Sequence, residues 1–101
     1  MGRPETLSEE ALEDAMGELV GWNYRDGALH RVFQFPDFVE AFAFMTKVAM
    51  EAERCCHHPD WENVYSRLNV RLSTHDAGGV TSLDVAMAQA MDRFFKPYER
   101  D

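Results

Sequence analysis

Between Pro36 and about His57, apolar residues recur every three or four positions until Pro59 closes the pattern. Phe38, Phe42, Met45, Val48, Ala49 and Ala52 predict one long amphipathic helix. Pro36 suits its first position, where a missing N–H costs nothing. Val39, Ala43, Phe44 and Met50 widen the apolar arc beyond a single stripe. So broad an apolar surface calls for two things to bury against, the chain's own sheet and a second body such as a partner subunit. A proline pushes the preceding residue out of the helical region, so His58 should be extended and His57 should lie on the last turn or just beyond it.

The segments on either side alternate in type. Thr6-Leu7-Ser8-Glu9 is a capping signal followed by acids, which predicts a short first helix over 6–17. Trp22 and Tyr24 alternate with polar residues up to Asp26-Gly27, a hairpin-turn dipeptide, and Leu29, Arg31, Phe33 and Phe35 continue as the return strand. Residues 63–65 and 67–74 read as two further strands, with Leu68, Val70 and Leu72 alternating with Asn69, Arg71 and Ser73. On that period His75 shares the polar face of Arg71 and Ser73, at a strand end where a groove can open. Gly78-Gly79 break the chain. Thr81-Ser82-Leu83-Asp84 then caps a last helix with Leu83, Ala86, Met87, Ala90, Met91 and Phe94 on one face, stopping near Pro97. The order helix, hairpin, helix, two strands, helix predicts an α+β fold: a single four-stranded antiparallel sheet with helices packed on one face.

At 101 residues the chain is expected to be a single domain over 1–101, with a core modest enough to gain from oligomerisation. Ten basic residues against eighteen acidic ones, a formal charge of -8, disfavour direct nucleic-acid binding along phosphates. No apolar run has membrane-spanning length, and the start lacks the apolar core of a signal peptide. Arg3-Pro4 argue against lipidation of Gly2. The two cysteines, Cys55 and Cys56, are adjacent and poorly placed for a structural disulfide, so a reducing, cytoplasmic setting is expected.

Three of the four histidines fall in two short segments, His57-His58-Pro59-Asp60-Trp61 and Ser73-Thr74-His75. Imidazole titrates close to neutral pH, so such a cluster suits either proton transfer or metal binding. His57 and His75 come from different segments and can face each other as an acid and base pair. His58, held extended by Pro59, suits orienting a ligand. Glu53 stands one helical turn before His57, where its carboxylate could hold that imidazole and favour its charged form. Trp61 offers a flat apolar wall, and Asp84 could reach the site from the first turn of the last helix.

These residues resemble the pterin-4a-carbinolamine dehydratase family. The likeness lies in Phe38-x-x-Ala41-Phe42-x-Phe44-Met45, in Glu53-x-x-x-His57-His58-Pro59-x-Trp61-x-Asn63-Val64-Tyr65, in Leu72-Ser73-Thr74-His75 and in Asp84, with weaker agreement from Trp22 to Phe35. The resemblance implies dehydration of a 4a-hydroxytetrahydropterin to the quinonoid dihydropterin, without metal or other cofactor, in recycling the pterin of aromatic amino acid hydroxylases. It implies catalytic roles for His57, His75 and His58, and pterin contacts from Glu53, His58, Pro59, Trp61 and Asp84. It also implies a homodimer or homotetramer. One departure stands out: the residue before the double histidine is often acidic or small and polar in the family, and here it is Cys56.

Plainer roles compete with these. Adjacent histidines can sit at a helix end, where the dipole favours an imidazolium. A zinc site of Cys55, Cys56, His57, His58 and His75 lacks the spacers that let a tetrahedral set close. Cys55 and Cys56 suit ordinary helix-end positions, and Tyr65 is assigned to the core. Asp84 fits a capping box, and Glu53 could pair with Arg54 or Lys47 on a solvated face. His30 lies outside the motif. A different class of function is a protein-binding module, since animal members of the family also serve as dimerisation cofactors of a homeodomain transcription factor. On that reading a hydrophilic residue at Phe44 or Met45 would disrupt association.

Overall fold

Ser8 and Asp37 each start a helix by the same device. The Ser8 hydroxyl accepts from the Ala11 N–H at 3.1 Å and opens α1 (Glu9–Glu18). The Asp37 carboxylate accepts from the Glu40 N–H at 2.9 Å and opens α2 (Phe38–Cys55). The long helix thus begins at Phe38 rather than Pro36, because Asp37 supplies the acceptor that the exposed first-turn N–H groups need. The computed structural model describes residues 4–99; the expectation about Gly2 lies outside the described residues.

Four strands form one sheet: β1 (Asn23–Arg25), β2 (Ala28–Gln34), β3 (Asp60–Val64) and β4 (Arg67–Leu72), in the order β1-β2-β4-β3, each pair antiparallel. Asp26 and Gly27, with φ of 53° and 72°, make the primed two-residue turn that the dipeptide predicts. The β3–β4 turn falls earlier than expected. Tyr65 takes a positive φ of 52°, and the Asn63 side-chain amide donates to the Tyr65 and Arg67 carbonyls at 3.1 and 2.9 Å. The strand therefore runs from Asp60 and takes in Trp61. Tyr65 is exposed in the turn rather than buried in the core. β4 ends at Leu72, after which Thr74 bridges to Gly79 and His75–Ala77 forms a 3₁₀ turn.

Leu29 and Phe33 of β2 pair with Leu72 and Leu68 of β4 on the face that meets the helices. Against them lie Ala41, Phe44, Val48 and Ala52 of α2 and Met87, Ala88, Met91 and Phe95 of α3 (Ser82–Phe95). Val48 and Ala52 of α2 and Met87, Ala90 and Met91 of α3 are buried as expected, but other positions on the expected faces are not. Phe38 and Phe42 are about half exposed and Ala49 is exposed, while Phe44, at 1% exposure, sits between Phe33 and Phe35 with ring centroids 4.9 and 5.0 Å away. A hydrophilic residue at Phe44 would strike the core rather than a partner. On α3, Ala86 faces out and Asp84 and Phe95 face in. The outer stripe of α2, namely Phe38, Val39, Phe42 and Met50, has nothing in the described chain to cover it.

Arg31 lies on the inner face of β2, between Leu29 and Phe33. Its guanidinium stacks over Phe33 at 4.4 Å and Phe95 at 5.1 Å, and it donates to Asp92 Oδ1 at 2.7 Å. Trp22 Nε1 donates to the same oxygen at 2.9 Å. Burial holds the Asp92 carboxyl above the usual carboxylate range, against the opposing pull of Trp22 and Arg31. A Cβ at Gly21 would lie 2.6 Å from the guanidinium carbon, so a larger residue there would have to displace the Arg31 side chain.

Candidate active site

The site begins at the end of α2. Cys56 adopts the left-handed conformation with φ 55° and ψ 38°, which costs a side-chain-bearing residue about 1 kcal/mol. Its N–H bonds the Glu53 carbonyl at 3.3 Å, and the His57 N–H bonds the Ala52 carbonyl at 3.1 Å. This pair of bonds closes the helix and turns the chain back, so that His57 tucks beneath it while His58 stays outside. His57 is 9% exposed and His58 is exposed.

The partner expected for His57 is corrected by the fold. Glu53 reaches His58 instead, with its Oε1 2.9 Å from His58 Nε2, both groups largely in solvent. His57 Nε2 lies 2.6 Å from Asp84 Oδ1, and Asp84 is completely buried. The turn at Cys56 takes His57 off the helix surface, out of reach of an acid one turn back. Nor does Glu53 pair with Arg54, which bonds Glu51.

Asp84 serves the fold and the histidine at once. Its Oδ2 accepts from the Thr81 N–H at 2.9 Å and the Thr74 hydroxyl at 2.8 Å. The Thr81 hydroxyl accepts from the Leu83 N–H at 3.2 Å and lies 2.7 Å from Thr74 Oγ1. The Thr74 proton is committed to Asp84, so Thr81 must donate to Thr74. Asp84 Oδ2 is then an acceptor in both of its bonds. An acceptor-only carboxylate requires the proton on Nε2 of His57. The other ring nitrogen, Nδ1, has no bonding partner and is not a buried unsatisfied atom, so it is the part of the ring left open to solvent.

His75 stands across the strand end from these groups. It is exposed at the start of the 3₁₀ turn, and its imidazole makes no hydrogen bond among the described residues. A cleft of about 510 Å³ is lined by His58 and His75 together with Asp60, Arg71, Ser73 and Thr74, and it borders the turn glycine Gly27. That volume lies within the range of small-molecule sites. His57 does not line it, but Thr74, bonded to the same Asp84, does. Arg71, Ser73 and His75 share the cleft, as strand alternation predicts. Trp61 lines a neighbouring cleft of about 240 Å³, which shares Asp60 and Arg71 with the first. Pro59 is half-buried between the two segments and lines neither.

Sequence reasoning missed Asp60, Thr74 and the hairpin tip as cleft residues. Asp60 follows the proline directly and Thr74 precedes His75, so local adjacency could have flagged both. Nothing local joins the first hairpin to His75. A more voluminous cleft, about 880 Å³, is lined by Arg31, Phe35, Phe95 and Tyr98 among others and holds no histidine. Cys55 and Cys56 are free and exposed, and burial raises the Cys55 thiol above its usual range, as does its bond to Glu51. Among the described residues no three histidines, cysteines or acids are placed to hold a metal ion together.

Comparison with known proteins bears on the same residues. The family profile described as Pterin 4 alpha carbinolamine dehydratase matches residues 5–94. A protein of Bradyrhizobium sp. strain BTAi1, provisionally named pterin-4-alpha-carbinolamine dehydratase, is 59% identical over 90 residues, covering 87% of this chain and 91% of its own. One of Mesorhizobium japonicum with the same provisional name is 54% identical over 93 residues, covering 90% and 95%. A crystal structure from Brucella melitensis, described as a transcriptional coactivator/pterin dehydratase, superposes with a TM-score of 0.86 at 42% identity, covering 89% of this chain and 98% of that one. The matched span takes in the double histidine, the Thr74-His75 pair and Asp84, and the chain belongs to the pterin-4a-carbinolamine dehydratase family.

Proposed function

We propose that the protein dehydrates a 4a-hydroxytetrahydropterin to the quinonoid dihydropterin, by histidine acid/base catalysis without a metal. The observation that carries this reading is the cleft lined by His58, His75 and Thr74, with Thr74 bonded to the same buried Asp84 that anchors the His57 imidazole. Loss of water breaks the bond from C4a to its hydroxyl oxygen and forms the C4a–N5 double bond. A proton goes to the departing hydroxyl and another leaves N5. His57, presenting Nδ1, and His75 divide these two transfers. Each positioned transfer contributes roughly 10²–10⁴-fold. His58, steadied by Glu53, orients the ring, with Pro59 holding the segment extended and Trp61 walling the adjoining cleft. The role that follows is recycling the pterin cofactor of an aromatic amino acid hydroxylase in the cytoplasm.

Freshly generated 4a-hydroxytetrahydropterin, followed by ultraviolet absorbance, provides the test. Acceleration over buffer that survives a chelator is the expected result. No acceleration sinks the dehydratase reading; loss on chelation alone sinks its metal-free form.

The exposed stripe on α2 supports a homo-oligomer, dimer or tetramer, as part of the same proposal. Val39 and Met50 are each 71% exposed, in line with the half-exposed Phe38 and Phe42. Phe42→Asp is expected to give a monomer by sedimentation with an unchanged far-ultraviolet circular dichroism spectrum. An assembly that persists in this variant moves the interface elsewhere.

A further inference from the structure

Arg71 is half-buried in the cleft floor, and its charge is not spent within the chain. No ion pair among the described residues includes it. Its cross-strand neighbour Asp60 is the obvious partner, since the two sit opposite each other in the β3–β4 register and share the outer face of the sheet. The guanidinium instead leans along its own strand and donates to Ser73 Oγ at 3.4 Å, toward the end where His75 stands. Among the described residues Asp60 in turn has no hydrogen-bond partner for its carboxylate. Asp60 and Arg71 are also two residues that line both adjoining clefts. A strong acceptor and a strong donor therefore stand side by side in the cleft, aligned by the sheet and unused by each other.

We infer that Asp60 and Arg71 together read the 2-amino-4-oxo edge of the pterin ring, an inference that rests on the dehydratase reading above. That edge carries two adjacent donors, the 2-amino group and N3–H, followed by an acceptor, the 4-oxo oxygen. A carboxylate accepts from both donors at once through its two oxygens, and a guanidinium N–H donates to the oxygen. The edge is the same in the hydroxylated substrate and in the product, so these contacts bind both alike. They position the ring for His57, His58 and His75 and set which ring enters, without contributing to the proton transfers. The discrimination falls on the 2-position. A 2-oxo ring, as in a lumazine, turns a lone pair toward the Asp60 carboxylate where the pterin presents a donor.

Binding of 6-methyl-7,8-dihydropterin and of its 2-oxo counterpart, measured by calorimetric titration, tests this in wild type, Asp60→Asn and Arg71→Met, alongside the wild-type dehydration rate. Wild type is expected to prefer the amino ring by roughly tenfold or more. Asp60→Asn should erase that preference, because the amide can donate to a 2-oxo group. Its retained binding of the 2-oxo ring would show that the variant is folded. Arg71→Met should weaken both rings alike, by roughly tenfold, since both keep the 4-oxo oxygen. An Asp60→Asn protein that keeps the wild-type preference overturns the inference. If the wild type dehydrates its substrate while both variants bind as it does, the inference alone falls. A wild type that neither binds the amino ring nor dehydrates removes both readings together.

Discussion

Asp84→Ala is expected to unfold the protein at a much lower temperature and to abolish dehydration, and Asp84→Asn is expected to separate those two effects. The alanine variant strips an acceptor from His57, Thr74 and the Thr81 N–H, all of them buried. Breaking a buried, hydrogen-bonded charged group in this way costs about 3–5 kcal/mol. For a domain of this size that lowers Tm on the order of 15–25 °C. Asparagine has the same shape but one acceptor oxygen and one donor nitrogen. The Thr81 N–H can only donate, so the amide oxygen must face it and the NH₂ must face His57. The imidazole then has to accept at Nε2 and carry its hydrogen on Nδ1, the reverse of its arrangement on the carboxylate. Most of the stability survives, since the cap bond remains. The rate should fall by about 10²-fold or more, because Nδ1, the nitrogen open to the site, now carries the hydrogen and no longer has a lone pair to take up a proton. Thermal denaturation by circular dichroism, with the absorbance assay on the same samples, checks both. An asparagine variant with the wild-type rate would show that the tautomer of His57 does not matter to the reaction.

His75→Ala should behave in the opposite way, losing about 10²–10⁴-fold in rate while Tm barely moves. The imidazole is exposed and bonded to none of the described residues, and the turn that carries it is held by backbone bonds from Ala77 and Gly78 to the Thr74 carbonyl and from Gly78 to that of His75. Removing such a side chain changes stability by no more than about 0.5 kcal/mol. A residue kept in solvent without a structural partner is therefore a clean probe of the chemistry. A His75→Ala rate within about twofold of wild type, far short of the 10²-fold floor for a positioned proton transfer, would remove it from the acid and base pair.

Much of the fold was legible because its signals are local. A capping serine, an Asp-Gly turn, a proline after a double histidine and a period-two run of leucine and valine act over a few residues, and each produced the element it predicted. The errors also have local causes. Asp37 outcompeted Pro36 for the start of α2 because a carboxylate can cap an N–H. Asn63 pulled the β3–β4 turn one residue forward by bonding the carbonyls on either side. The face of α2 was misread for a different reason. Its apolar residues cover so much of the circumference that periodicity could not say whether Phe42 or Phe44 pointed inward, and only packing on β2 and β4 decided it.

The candidate site divides along the same line. Its histidines and the carboxylates of Glu53 and Asp84 are identifiable from residue type and spacing, as is the family to which they belong, while Asp60 and Thr74 were not singled out. Which carboxylate holds His57 is not. Glu53 is close in sequence and Asp84 is 27 residues away, so every short-range argument favours Glu53. The left-handed turn at Cys56 and the packing of α3 against β4 reverse that choice, by carrying His57 off the helix and against buried Asp84, which already caps a helix. A buried carboxylate must find donors, and only the assembled chain determines which ones lie within reach.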